Sequence, residues 1–64
     1  MKVNYDGKTD TLTVIFRHVP VAESDEERGV IIDYDVAGNI VAIEVLDASE
    51  RVDEPARVRF HIQE

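Results

Sequence analysis

The chain contains no cysteine, no tryptophan and only two histidines, His18 and His61. Disulfides are therefore excluded, and the Cys/His clusters that hold a structural zinc ion are missing. A chain of this length buries only about 60% of the surface that its unfolded form exposes. We therefore expect a single domain over residues 1–64 that gains the stability it lacks by forming a homodimer.

Basic residues are also scarce. Seven Lys and Arg stand against fourteen Asp and Glu, which gives a formal net charge of -7 at pH 7. Such a protein is repelled at long range by DNA, RNA and anionic membranes. No apolar run approaches the roughly 18 residues of a membrane-spanning helix, and the first residues do not form a secretory signal. The sequence predicts a cytoplasmic protein that binds neither nucleic acid nor membranes and carries no cofactor motif.

What the chain does contain is strand periodicity. A hydrophobic fraction of 44% is normal for a folded domain, and apolar residues alternate with polar ones, as they do on the two faces of a β-strand. Alternation at residues 2–6 and 11–17 flanks one set of turn residues, and alternation at 30–35 and 41–46 flanks another, Val36–Asn39. These patterns predict two antiparallel hairpins.

The length of the second loop follows from the faces of its strands. The apolar residues of both strands must share one face, and this requires an even number of loop residues. A loop of four residues, Val36–Asn39, satisfies the condition, and Gly38 with Asn39 can adopt the positive φ angles that such loops use. A three-residue loop would place Val41 opposite Asp33.

Residues 17–29 link the two hairpins. They contain Pro20 and the acidic run Glu23–Glu27, and they predict an irregular connection with an edge strand at Val21–Glu23. A run of this charge attracts a basic protein and raises its association rate. The residues predicted to bind such a partner are Glu23, Asp25, Glu26 and Glu27.

The last third of the chain predicts a short helix and a further strand. Asp47 precedes Glu50 by three residues, which is typical of a helix N-cap, and Pro55 limits that helix to about two turns. Beyond Pro55, alternation resumes and predicts a fifth strand, with its apolar residues at Val58, Phe60 and Ile62.

Together these elements predict a mainly β fold, an antiparallel sheet of four or five strands built from two hairpins plus one short helix. The alternative is an α+β fold with a longer C-terminal helix. One face of the sheet is expected to form the core, with Ile15, Ile31, Ile40 and Leu46 on the other face. The expected core residues are Val3, Tyr5, Leu12, Val14, Phe16, Val30, Ile32, Tyr34, Val41, Ile43, Val45, Val58, Phe60 and Ile62.

The order of several motifs resembles a known family. The motifs are Tyr5-Asp6, Asp10-Thr11-Leu12, Val21-Ala22-Glu23-Ser24 and the long run from Gly29 to Ser49. Over nearly its whole length the chain resembles the YuzE-like bacterial family, domain of unknown function 2283. The resemblance implies a small bacterial cytoplasmic protein with no established activity and no catalytic residues to carry over. It also implies a neighbouring gene for a small RelE-like protein, and hence a toxin and antitoxin pair.

One stretch matches part of a calcium-binding loop pattern. Asp33, Asp35, Gly38 and Glu44 occupy its first, third, sixth and twelfth positions. However, Ala37 stands where an oxygen ligand is expected, and both flanks have strand periodicity where the motif needs helices. We therefore predict no specific metal site, and we expect the three carboxylates to share the outer face of the hairpin as a solvated surface.

No catalytic constellation accompanies these carboxylates. Ser24 and Ser49 lack the surroundings of a nucleophile, and neither histidine is tied to them by a motif. The leading hypothesis is an acidic interaction protein, the antitoxin-like partner of a basic RelE-like toxin. The alternative is a small metal-dependent or acid-base enzyme that uses Asp33, Asp35 and Glu44.

Overall fold

The computed structural model describes residues 1–58, which form one antiparallel sheet of five strands. In chain order the strands are β1 (Lys2–Asp6), β2 (Thr11–Ile15), β3 (Glu23–Glu27), β4 (Val30–Tyr34) and β5 (Ile40–Val45). Their order across the sheet is β1-β2-β5-β4-β3, so β1 and β3 are its edges. A one-turn helix, α1 (Ala48–Arg51), and a 3₁₀ turn (Pro55–Arg57) follow. The predicted mainly β class is confirmed.

The chain after β5 has less regular structure than expected. The helix α1 has four residues where about two turns were predicted, and the longer helix of the alternative fold is absent from residues 46–58. Val58 follows the 3₁₀ turn in an extended conformation. The rest of the predicted last strand, including Phe60 and Ile62, lies outside the described residues. Within residues 1–58, no helix is long and apolar enough to cross a membrane.

The hairpin of β1 and β2 forms as predicted. Lys2 pairs with Ile15 at one end, and Asp6 pairs with Thr11 beside the loop. Asp10 ends the loop with a φ of +54°, a left-handed conformation that Asp tolerates better than most residues because its short side chain can bond locally. The loop therefore needs no glycine at this position.

The hairpin of β4 and β5 has a loop of three residues, and the predicted four-residue loop is wrong. The Gly38 N–H donates to the Asp35 carbonyl at 3.0 Å, and the Asp35 N–H donates to the Asn39 carbonyl at 2.9 Å. Gly38 has a φ of +86°, which only glycine adopts without strain. The predicted pairing still holds for Val30 with Val45 and for Ile32 with Ile43.

A β-bulge reconciles this loop with the predicted pairing. Tyr34 pairs with Ile40 and Asp33 pairs with Ala42, which leaves Val41 as the extra residue. The prediction had placed Val41 on the same face as Tyr34 and Ile40 on the other. Because the bulge inserts one residue, Ile40 takes the side of Tyr34, and Val41 is buried at 3% exposure. Periodicity alone does not reveal such an insertion.

The acidic run forms strand β3, so the predicted irregular connection is wrong, and the predicted edge strand shares only Glu23 with it. Arg28 and Gly29 have φ angles of +53° and +82°, and they link Glu27 to its partner Val30. Two positive φ angles match the twist of paired strands, so this turn aligns the acidic run with β4. All five residues of β3 are exposed, which keeps their carboxylates hydrated.

The sheet has an apolar face that is only half-buried. Alternation and strand pairing place ten side chains on it, and this set is called the apolar face below: Val3, Tyr5, Leu12, Val14, Val30, Ile32, Tyr34, Ile40, Ile43 and Val45. Of these only Leu12 is buried, at 5% exposure, and Phe16, predicted to belong to the core, is 42% exposed. The described chain provides no second layer, so the predicted core is incomplete within it.

The helix α1 is attached to the first hairpin through Asp10. The Ala48 N–H donates to the Asp10 carbonyl at 2.9 Å, and the Ser49 N–H donates to Asp10 Oδ1 at 3.0 Å. The hydroxyls of Ser49 and Tyr5 donate to the same carboxylate at 2.6 and 2.7 Å. The predicted N-cap, Asp47, makes no capping bond with its side chain. Asp10, far away in sequence, therefore takes the role expected of Asp47.

Candidate functional site: an acidic edge strand and a carboxylate pair

Strand β3 presents an exposed acidic edge. It pairs with β4 on one side only, and no strand of the described chain covers its other side. Pairing places Glu23, Asp25 and Glu27 beside the apolar face, with Ser24 and Glu26 on the opposite side of the sheet. A free edge offers unpaired backbone N–H and C=O groups, and here carboxylates line it on both sides. All four predicted partner-binding residues therefore lie on this one strand.

Strands β4 and β5 contribute one carboxyl group each to a pair that the sequence only partly predicts. Asp33 on β4 is buried, at 8% exposure, and its Oδ1 accepts a hydrogen bond of 2.6 Å from the Ser24 hydroxyl. Glu44 on β5 is half-buried beside it. A hydrogen bond with Asp33, together with burial and the negative charge of Asp33, raises the pKa of Glu44. The protonation of Glu44 is thus linked to Asp33.

Asp35 does not join this pair, so the predicted grouping of three carboxylates is wrong. Its Oδ1 accepts hydrogen bonds from the N–H groups of Ala37 and Asn39, both at 2.9 Å, and Arg17 lies 3.3 Å from its Oδ2. The backbone bond from Asn39 contributes most to lowering the pKa of Asp35, and the charge of Arg17 contributes least. The carboxylate is used to close the β4–β5 loop.

An open cavity of about 460 Å³ lies on the side of the sheet opposite the apolar face. Asp33 and Glu44 line it together with residues of β2, β5 and the connection between β2 and β3. The apolar and small lining residues are Ile15, Val19, Val21, Val41 and Ala42. Among the predicted candidates, His18 also lines this cavity, whereas Ser49 is bonded to Asp10. A carboxyl pair beside an apolar wall is an arrangement that can bind a cation or move a proton.

Residues 1–58 contain no group of three or more His, Asp or Glu side chains placed to hold a metal ion. The carboxylates of Asp33 and Glu44 supply two ligand groups, whereas calcium takes six to eight oxygen atoms. The calcium-loop pattern therefore lacks the geometry that its spacing suggests, because Asp35 uses Oδ1 for its own loop and Oδ2 for Arg17.

Replacing Glu44 with Gln should stabilise the fold at neutral pH. The pKa of Glu44 is raised in the folded state, so its contribution to stability is complete below its usual value of 4.5 and is lost as the pH rises through the raised pKa. At pH 7 the wild-type pair carries a repulsion that Glu44→Gln removes. We expect the Tm of the variant to exceed that of the wild type at pH 7 and to match it at pH 4, as measured by thermal unfolding.

Glu26→Gln is the matched control for this prediction. It removes one carboxylate from the same side of the sheet but from an exposed position. Its effect on Tm therefore reports the general benefit of reducing a net charge of -7. Equal effects of the two substitutions at both pH values would show that Asp33 and Glu44 do not interact.

Comparison with known proteins assigns the family. A family model described as "Protein of unknown function (DUF2283)" matches residues 2–49, which include all five strands and the first residues of α1. Comparisons with curated proteins and with solved structures give no match. Because the match covers most of the chain, this protein belongs to the DUF2283 family of proteins of unknown function.

Proposed function

We propose that this protein is a small interaction protein that binds a basic protein partner along strand β3. The observation that carries the proposal is the position of the acidic run: four carboxylates lie on a fully exposed edge strand whose outer backbone groups have no partner within residues 1–58. This geometry combines two modes of recognition, electrostatic attraction and backbone pairing.

Backbone pairing at an edge favours one class of partner. An extended segment can add to β3 as a further strand and satisfy the free N–H and C=O groups of the edge. Two copies of β3 repel each other, because carboxylates lie along the whole strand, and charges on an edge strand are a common means of preventing self-pairing. A segment rich in Lys and Arg replaces that repulsion with attraction. The edge therefore selects a basic partner.

A toxin of the RelE-like class fits this chemistry. A protein that acts on RNA needs a basic surface where the RNA binds, because its substrate is a polyanion. This chain has a net charge of -7, and by covering the basic surface of such a toxin it would compete with RNA without any chemistry of its own. The protein would then act as an antitoxin by occlusion.

Neutralising the edge tests the proposal. Affinity purification from the native cell should return a basic partner, and association with that partner should slow about tenfold in the variant that replaces all four acids, since steering contributes ten-fold or more to such rates. The substitutions are Glu23→Gln, Asp25→Asn, Glu26→Gln and Glu27→Gln. Raising the salt from 0.1 to 1 M, which shortens the Debye length from about 10 to about 3 Å, should slow the wild type similarly.

A control variant separates the edge from net charge. It removes the same number of negative charges, four, from exposed positions that follow β5 in the chain. The substitutions are Asp47→Asn, Glu50→Gln, Asp53→Asn and Glu54→Gln. We expect this control to associate within about twofold of the wild-type rate, because steering depends on charges near the contact. Purification without a basic partner, or equal rates for both quadruple variants, would contradict binding at β3.

The carboxyl pair supports a second candidate, a small metal-dependent or acid-base enzyme. Asp33 and Glu44 have different degrees of burial and meet beside a cavity, and such a difference is how two carboxyls take separate roles in proton transfer. Asp35, which the sequence analysis included in this candidate site, takes no part in the proposed enzyme function. A divalent metal that raises the Tm of the wild type, but not of Asp33→Ala or Glu44→Ala, would favour this function over the first.

A further inference from the structure

The apolar face lacks a covering layer in the described chain. A sheet that exposes an apolar face is stable when a second layer packs on it. Here eight of the ten side chains remain half-buried and Ile40 is exposed, and α1 is only one turn long. The described fold measures 33 × 32 × 18 Å, which is the shape of a slab.

The accessible surface of the chain is larger than that of a compact monomer of the same mass. The accessible surface is 5078 Å², whereas a compact monomer of 7.2 kDa exposes about 4100 Å². The surplus of about 1000 Å² is close to the roughly 800 Å² that each partner buries in a stable interface. A partner packed on the apolar face would remove an area of this order.

Charges at one end of this face favour a second copy as that partner. Arg28 and Arg51 line a shallow depression together with Asp25, Glu27 and apolar residues of β4. Within residues 1–58 neither arginine forms an ion pair. A surface that carries both positive and negative charges can complement itself. A two-fold axis repeats each contact, so a basic residue of each copy can face an acidic residue of the other.

We propose that two copies of this chain pack their apolar faces together as a two-fold symmetric sandwich, with Arg28 and Arg51 of each copy facing acidic residues of β3 in the other. Tyr5 and Tyr34 lie on this face, and tyrosine is enriched in protein interfaces. The dimer leaves the outer edge of β3 accessible. It shares the acidic side chains of β3 with the proposed binding of a basic partner, but the two proposals fail separately, because Ile32→Lys changes the face of the sheet and leaves every residue of β3 unchanged.

Two adjacent residues provide the test. Ile32 lies on the apolar face and Ile31 on the opposite side of β4, and both are half-buried. Analytical ultracentrifugation at 10 to 100 µM should show the wild type at twice 7.2 kDa. Ile32→Lys should raise the dissociation constant at least about 30-fold, the effect of losing one central contact. Ile31→Lys should remain a dimer.

Further measurements keep the proposal testable if Ile32→Lys does not fold, as circular dichroism would show. The Tm of the wild type should rise with protein concentration, because association stabilises the folded state by mass action. Arg28→Glu, in an exposed turn, should weaken the dimer several-fold. A wild-type monomer at 100 µM would overturn the proposal, and so would Ile31→Lys dissociating the protein as strongly as Ile32→Lys.

Discussion

Leu12→Ala is expected to remove most of the stability of this protein. Leu12 on β2 is 5% exposed and is the only buried member of the apolar face. Truncating a buried leucine costs about 2 to 5 kcal/mol, because the lost contacts leave a cavity. A domain of 64 residues has roughly 3 to 10 kcal/mol in total. Chemical denaturation at a single protein concentration, followed by circular dichroism, should therefore show a midpoint shifted strongly to lower denaturant.

Phe16→Ala is the control for this prediction. The sequence places Phe16 in the core beside Leu12, whereas in the structure its side chain is 42% exposed at the end of β2. We expect this larger truncation to cost less than about 1 kcal/mol, as exposed positions usually do. If Phe16→Ala destabilised the protein as much as Leu12→Ala, burial in the described chain would not be what determines its stability.

Asp10→Ala should lower the Tm by on the order of 10 °C, the scale expected in a small protein for the loss of a helix cap. The Asp10 carboxylate accepts hydrogen bonds from the N–H and hydroxyl of Ser49 and from the Tyr5 hydroxyl. Removing it leaves α1 without its cap and β1 without its link to the helix. Asp6→Ala, which loses one bond from the Lys8 N–H at an exposed site, should change the Tm by no more than about 2 °C.

The same carboxylate should give the unfolding curve a pH signature. Hydrogen bonds from Ser49 and Tyr5 hold the pKa of Asp10 below its usual value of 3.8. Its contribution to stability is therefore present above pH 3.8 and is lost as the pH falls through the lowered pKa. The Tm of the wild type should decrease more steeply than that of Asp10→Ala between pH 4 and 2. Parallel decreases would contradict a role for this carboxylate in holding the helix.

The candidate site was only partly predictable. The sequence predicts the acidic run and both carboxylates of the pair, Asp33 and Glu44. It also predicts Asp35 as a third member of that group, which is wrong. Spacing cannot show that Asp35 turns its Oδ1 toward the N–H groups of its own loop, because that depends on the loop having three residues. Nor does spacing bring Ser24 to Asp33, since that contact needs the acidic run to be a strand.

The acidic run shows how local preference can predict a loop where the structure has a strand, β3. Glu and Asp are depleted in strands, and five exposed residues give no apolar alternation, so local preference predicts a loop. The sequence signal for a hairpin here is the pair Arg28-Gly29, which directly precedes the regular strand that begins at Val30. Glycine in the second position supports the positive φ of a tight hairpin, and pairing with β4 then overrides the preference of the individual residues.

Residue type and periodicity by themselves determined the class of this protein: an acidic antiparallel sheet, with hairpins at residues 2–15 and 30–45. The acidity follows from composition, and the strands follow from the alternation of side chains that local backbone geometry imposes. The tertiary structure alone decided the place of β3, the bulge at Val41 and the capping of α1 by Asp10. The cap joins residues distant in sequence, and the other two depend on pairing across hairpins, whose energy adds to or opposes local preference only after the strands have paired.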